Sequence, residues 1–450
     1  MDQICRSTPI PASLLKNMMK MMKKVVIVLV LMTCLFCSCG NRNNAEAPIL
    51  NENGKEEIVL CDLGVSGYMQ NAIVSYNKQS DKYEVVVRER LEGVSTDDFR
   101  RNIQLELTNG KGPDILFFNC FTDCNIFPCA EDGYLMDVTD FLNEQTDIID
   151  IAKGYNELNG RIYAVPVNMV IHTVCTFERY EIEQKDNTLK YWMTLTEDTN
   201  TEFDWNGVNL LRMLGVGVDG IQLFVDEENG KSNFEQKEFV ELLEFAKKYG
   251  YKDIGETIRE RVASGKQIFW ETSIQSFEQF WFQEAAFKEL PSYIGYPTNQ
   301  GGRHKLSCLS YAINNASKHK DGALDFLSFL LSDEQQQLSL IDVEGFPVRK
   351  SILTKLWDEA LQEPYTGDAE NKKTLAYSVR GVYYEPRKMN EEEAAIFWEM
   401  LNNPLYNYNY NPICEIVAEE THPFFNDKKA AEEVAKVIDN RVQLYLNETN

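Results

Sequence analysis

The sequence predicts an α/β protein of two domains with a mostly parallel sheet, and three observations carry that prediction. A four-residue apolar run, Ile115–Phe118, follows Gly110, Gly112 and Pro113. A run that short, bounded by turn residues, is the pattern of a strand buried on both faces. The segments before it alternate strand and helix patterns in a βαβαβ order, which implies right-handed crossovers and a parallel sheet. A chain of 450 residues is also too long for one core, so two domains of comparable size follow.

Taken in order, Lys23 and Lys24 precede Val25–Phe36, an almost wholly apolar run of twelve residues. That is too short to span a bilayer but suits the core of a signal peptide. Residues 1–21 read as upstream sequence, because Met22-Lys23-Lys24 alone supplies a normal start. The run ends in Leu35-Phe36-Cys37-Ser38-Cys39-Gly40, which resembles a bacterial lipobox. Cys39, preceded by the small Ser38, is the expected lipidation site and mature N-terminus; Cys37 is the alternative. Residues 1–38 are then the signal peptide. Residues 39–55, rich in Asn, Glu and Gly, form a flexible tether between lipid and fold.

Ile58–Cys61 reads as the first buried strand, and Met69–Gln79 has helical spacing through Ala72, Ile73 and Tyr76. Tyr83–Arg88 alternates as a second strand. Asp97–Thr108 is amphipathic, with Phe99, Ile103, Leu105 and Leu107 as its apolar positions. Ligands of open α/β sheets sit beyond the carboxyl ends of such strands, which directs attention to Asn119, Cys120 and Phe121. Val165–Val174 is long and extended, as a strand leaving one domain for another should be, and Leu306–Ala312 is a candidate return path. Between them, Asn206–Leu214, Phe234–Tyr249 and Asp253–Ser264 are helical by spacing, and Lys266–Trp270 reads as a short strand after the turn at Gly265. Lys318–Leu340 reads as one long helix. Asn390–Leu401 and Lys428–Leu446 read as amphipathic helices covering the second domain.

Several of these pieces, in order, resemble family 1 of the extracellular solute-binding proteins, the lipid-anchored receptors of ABC importers. The residues that carry the likeness are Gly112-Pro113-Asp114-Ile115, Gly133–Thr139, Asn159–Pro166, Ser310–Asn314, Ala323–Ser332 and Gly345–Arg349. The likeness spans about residues 56–350. It departs at Thr173–Glu178, which lacks the family's usual strand ending, and weakens beyond Leu353. The resemblance implies a type II periplasmic-binding-protein-like fold, two α/β lobes joined by crossing hinge strands. The expected first lobe is 56–166 with 305–345, and the second is 167–304 with 346–450. It further implies a ligand cleft between the lobes, a permease partner, and a place outside the cytoplasm on the cell membrane, reached through the lipid anchor.

Composition narrows the function. A net charge of −25 argues against nucleic acid or an anionic membrane surface as the main partner. Beyond the leader there are seven cysteines: Cys61, Cys120, Cys124, Cys129, Cys175, Cys308 and Cys414. The spacing of Cys120, Cys124 and Cys129 is unlike a zinc knuckle and no histidine lies near it, so buried thiols are expected, with at most a local disulfide. The chain has no Gly-rich phosphate loop, GxSxG elbow or HExxH, and its four histidines are scattered, so no cofactor, metal or catalytic residue is expected.

What remains is binding. Sugars present hydroxyl rims and apolar ring faces, which aromatic platforms, carboxylates and amides match. The loops that the fold aims at a cleft carry Tyr68, Phe118, Asn119, Phe121, Asn168, Trp270, Glu271, Trp281 and Phe346. Tyr68 and Trp270 are expected to approach a ligand from opposite lobes while Glu271 accepts its hydroxyls. Phe277, Phe280, Trp281 and Phe287 have an equally plain reading as core, and the tyrosine-rich Asn403–Pro412 as a surface loop. The leading expectation is a receptor for a mono- or oligosaccharide. Alternatives are a polyamine or peptide receptor, a surface glycoside-processing enzyme with paired carboxylates, and an adhesin with an exposed apolar patch.

Overall fold

The computed structural model describes residues 50–449 apart from 63–64, 119–125, 183–186, 202, 204, 217–222, 227–228, 251–254, 299–300, 339–344, 363, 365–376, 380–381, 386, 403 and 407–411. The leader with Cys39, and the loop holding Asn119, Cys120, Phe121 and Cys124, therefore lie outside the described residues.

The βαβαβ start forms as the patterning predicts: β1 (Glu56–Cys61), α1 (Gly67–Gln79), β2 (Tyr83–Arg88), α2 (Thr96–Thr108) and β3 (Ile115–Phe118). Each helix begins on a serine that satisfies a free backbone donor. Ser66 Oγ accepts from the Met69 amide at 3.2 Å, and Ser95 Oγ from the Asp98 amide at 3.1 Å. β1 pairs in parallel with both β2 and β3. Alternation sends Leu60 and Ile115 into one core with Tyr68, Ala72 and Tyr76 of α1. Cys61, Leu116 and Phe118 go into another with Phe99, Ile103 and Leu107 of α2.

The chain continues through β4 (Val165–Phe177), α3 (Leu189–Thr199), α4 (Lys237–Tyr249), β5 (Trp270–Ile274), α5 (Glu278–Phe287), β6 (Pro291–Tyr293) and β7 (Lys305–Ile313). It ends with α6 (Lys320–Leu330), α7 (Asp333–Leu338), β8 (Phe346–Pro347), α8 (Lys350–Gln362), α9 (Glu391–Leu401), β9 (Leu405–Tyr406), α10 (Pro412–Phe425) and α11 (Ala431–Thr449). One sheet has the order β6-β4-β7-β3-β1-β2, with β5 and β8 also paired to β4 and β9 to β7. β4 is the axis of this arrangement, and all thirteen of its residues are buried. β7 runs antiparallel to it from the Lys305–His172 pair to the Tyr311–Val165 pair, with a bulge between Leu309 and Ser310. The same β7 closes on β3, from Ile313–Ile115 to Ser310–Phe118. β7 thus joins the βαβαβ unit to β4.

A second large core gathers Val174 of β4 with Trp192 of α3, Phe239 and Leu242 of α4, and Val434 and Ile438 of α11. Each such buried side chain contributes about 1.5–3 kcal/mol relative to exposure. α6 approaches β1 so closely that a Cβ on Gly322 would lie 2.4 Å from Ile58 Cδ1, which explains glycine at that position.

Three expectations change. The long helix over Lys318–Leu340 is two helices, α6 and α7. The break turns Gln336 inward, where its Nε2 donates to Val167 O at 2.8 Å and Leu330 O at 3.1 Å, and its Oε1 accepts from the Val348 amide at 2.8 Å. The strand expected over Lys266–Trp270 starts at Trp270 instead, because pairing with β4 covers Trp270–Ile274. Residues 346–450 do not pack as one body on the second core. Leu353 and Leu356 of α8 and Phe397 and Met400 of α9 join the core of Ile58 and Phe326, whereas α10 and α11 serve the core of Trp192.

Candidate functional site

The centre of the sheet, where β5, β4 and β7 lie side by side, has two unlike faces. Antiparallel partners share a face, and successive residues alternate. Met169, Ile171, Leu306, Cys308 and Ile274 therefore point one way, into the first core. The other face carries Asn168 and His172 from β4, Glu271 and Ser273 from β5, and Lys305 and Ser307 from β7. That is a row of polar groups on neighbouring strands, with Glu271 exposed and Lys305 partly exposed.

These groups are wired together. The imidazole of His172 sits between two hydroxyls, with Nε2 at 2.7 Å from Ser307 Oγ and Nδ1 at 3.0 Å from Ser273 Oγ. Burial pushes His172 down to about 4, with Lys305 acting in the same direction and Glu271 opposing it, so the ring is neutral at pH 7. On the opposite face of β4, the Thr173 hydroxyl lies 2.8 Å from Nδ1 of His304, which burial likewise pushes down to about 4. Asn168 Oδ1 is buried, and among the described residues no donor reaches it. A buried carbonyl left without a partner costs on the order of 1–3 kcal/mol, and such atoms mark places that a further group completes.

At the rim of this face stands Trp205. It is half-buried, packed 5.7 Å from the Phe203 ring, and its indole Nε1 donates to Glu271 Oε2 at 3.3 Å. The other oxygen of Glu271 accepts from the Tyr296 hydroxyl. Lys305 Nζ lies 3.9 Å from the centre of the Tyr296 ring. Burial, and then Glu271, hold the Tyr296 hydroxyl well above its ordinary range, so it stays a donor. An indole, a carboxylate with accepting capacity left over and an ammonium make a set suited to a hydroxylated ring, whereas Asn168 lies six residues along β4 from Val174, the partner of Glu271, roughly 20 Å away.

The residues expected from the sequence divide sharply. Glu271 and Asn168 lie on the polar face. Trp270, next to Glu271 in β5, must point to the opposite side; it is 2% exposed and packs with Cys175, Phe177 and Val262. The expectation that both line one cleft thus meets the two-residue period of a strand. Tyr68 is buried in the first core, its hydroxyl donating to Gln335 O at 3.2 Å. Phe118 is buried against α2, and Phe346 is fully buried against Phe277 and Phe397. Trp281 is buried on α5 with the Arg387 guanidinium 5.5 Å from its ring centre. Asn119 and Phe121 lie outside the described residues. Trp205, Tyr296 and Lys305 were not expected. No local pattern marks them, and only the pairing of β5 with β4 brings Glu271 to Trp205.

Among the described residues no group of His, Cys, Asp or Glu is arranged to hold a metal ion, and no helix is long and apolar enough to cross a membrane.

A profile of bacterial extracellular solute-binding proteins matches residues 71–367. No curated protein sequence matches significantly. Among solved structures, an ABC substrate-binding protein from Listeria monocytogenes in complex with cycloalternan is similar, with a TM-score of 0.57 at 14% identity over 87% of this chain and 99% of the other. Maltose-bound MalE3 of T. maritima gives 0.55 at 18% identity over 86% and 99%. The sugar-binding protein MalE from Xanthomonas citri gives 0.59 at 13% identity over 87% and 98%. At these identities the likeness establishes the fold, that of MalE-like type II periplasmic binding proteins.

Proposed function

Because this chain belongs to the bacterial extracellular solute-binding proteins, we propose that it captures a mono- or oligosaccharide and delivers it to the permease of an ABC importer. Members of this family bind solutes outside the cytoplasm rather than transform them. The observation that carries the carbohydrate reading is the Trp205–Glu271 pair at the rim of the polar face, an aromatic platform whose N–H orients an exposed carboxylate. On β4, β5 and β7, Glu271 is the one carboxylate of that face among the described residues, whereas glycosidase chemistry uses two. Of the residues expected from sequence, Glu271 and Asn168 are the ones we assign to the ligand.

In this reading β4 and β7 are the hinge. They bend about Val165–Asn168 and Leu306–Ala312, where the bulge at Leu309–Ser310 already interrupts the ladder. A thermal-shift panel of neutral sugars, amines and peptides tests the class. A neutral sugar at a hundred times its dissociation constant should stabilise the protein by roughly 2.7 kcal/mol. The same sugar should reduce the radius of gyration in small-angle scattering. Stabilisation by polyamines or peptides alone would replace the carbohydrate reading.

The anchor is a separate proposal, resting on the apolar Val25–Phe36 followed by Ser38-Cys39. The mature protein should begin at a lipidated Cys39, and intact mass measures it. Cys39→Ala should release the protein from the membrane fraction; undiminished membrane association in that variant would refute the site.

A further inference from the structure

The edge of the main sheet at β2 is a run of strong strand formers. β2 ends the strand order and, among the described residues, pairs only with β1. It carries Val85, Val86 and Val87 in succession. The Glu56 amide donates to Lys82 O at 2.9 Å, so the backbone groups of Glu84, Val86 and Arg88 face β1 and those of Tyr83, Val85 and Val87 face outward. Outward N–H and C=O groups in a row are a template on which another strand can add, and edges are normally blunted by charge, proline or a bulge. β2 has no proline, and its register with β1 is unbroken from Glu56–Tyr83 to Cys61–Arg88. Its charges are engaged elsewhere. Glu84 accepts from Asn51 Nδ2 at 2.6 Å and Asn53 Nδ2 at 3.0 Å, and Arg88 pairs with Glu106 at 2.6 Å.

What meets the edge instead is the last turn of α1. Asn77 Oδ1 accepts from the Val85 amide at 2.7 Å, and Asn77 Nδ2 donates to Val85 O at 2.8 Å. One side-chain amide thus makes both of the bonds that a residue of a neighbouring strand would make. The Asn77 carbonyl accepts from Lys55 Nζ at 2.6 Å, which fixes this end of the helix beside β2. One turn on, Ser80 Oγ accepts from the Tyr83 amide at 3.1 Å. Val87 has no such partner among the described residues.

We propose that Asn77 closes this edge to strand addition, and that the strand it keeps out is β2 of a second copy of the chain. Identical edges related by a two-fold axis meet antiparallel. About an axis through Val86, Val85 would exchange both of its outward bonds with Val87 of the second copy, and Val87 with its Val85, joining the two sheets into one. With Asn77 in place the outward groups of Val85 are engaged, and neither of these pairs can form. An asparagine that merely steadies the connection from α1 to β2 would, on its removal, lower stability and leave assembly unchanged. The state of assembly is therefore the quantity that separates the two roles.

Sedimentation of the purified protein over a range of concentrations tests this. Wild type should sediment as a single chain throughout. Asn77→Ala should shift toward the mass of two chains as concentration rises and return on dilution. Val87→Pro removes an outward N–H that β1 does not use, so Asn77→Ala/Val87→Pro should return to a single chain at every concentration. Asn77→Ala that stays a single chain overturns the proposal, and so does association that Val87→Pro leaves unchanged. A wild type that itself associates, and is returned to a single chain by Val87→Pro, overturns it as well. Should Asn77→Ala fail to fold, hydrogen exchange in the wild type decides. The Val85 amide, bonded to Asn77, should exchange roughly tenfold more slowly than the Val87 amide, and equal rates would mean that Asn77 does not hold the edge.

Discussion

Replacing Trp270 by alanine is expected to destabilise the protein by about 3–5 kcal/mol, the range for truncating a buried aromatic side chain. The indole is 2% exposed, with ring centres 4.9 Å from Phe177 and 4.5 Å from Phe287. Its Nε1 donates to Gln283 Oε1 at 3.2 Å, and Gln283 Nε2 donates to Thr272 Oγ1 at 2.7 Å. Truncation therefore opens a cavity and also strips a buried acceptor of its donor, and both effects add to the cost. Denaturant unfolding of wild type and variant measures it. An unchanged midpoint together with weakened sugar binding would return Trp270 to the ligand site and contradict the packing described above.

Trp205→Ala should do the opposite. Stacking one aromatic face on a sugar ring is worth on the order of 1–3 kcal/mol, so affinity for the best sugar of the panel should fall roughly tenfold to a hundredfold. The ring is half-buried at the edge of the second core rather than enclosed, so the loss of unliganded stability should be well below that of Trp270→Ala. Glu271→Gln is the companion variant: it keeps an acceptor near Trp205 and Tyr296 but removes the charge, and a smaller loss of affinity is expected. Affinity unchanged in both variants would move the sugar off the Glu271 face.

The contrast between these two tryptophans shows where sequence reading carries and where it stops. Gly265 and the short apolar run after it announce a strand near Trp270, and the glycine does adopt a φ of 75°. Whether the strand ends or begins at Trp270 is set by hydrogen bonds to β4, in which Trp270 pairs with Cys175 and Glu271 with Val174. A shift of one residue in that register would exchange the faces of Trp270 and Glu271. Trp205 is harder still, since its partner Glu271 lies 66 residues further along the chain.

By itself the sequence determined the elements whose signal is local. The runs Tyr83–Arg88 and Ile115–Phe118 form strands with those bounds, and the ordered motifs from Gly112 to Arg349 identify the family. Alternation, capping and turn formation act over a few residues, so a few residues suffice to read them. Only the tertiary structure decided which side of the crossing strands became polar, and that Tyr68, Phe118 and Phe346 serve as core. Those outcomes depend on which distant segment fills the space opposite each side chain. That is a matter of long-range pairing and packing, and the same aromatic or carboxylate types satisfy either environment equally well.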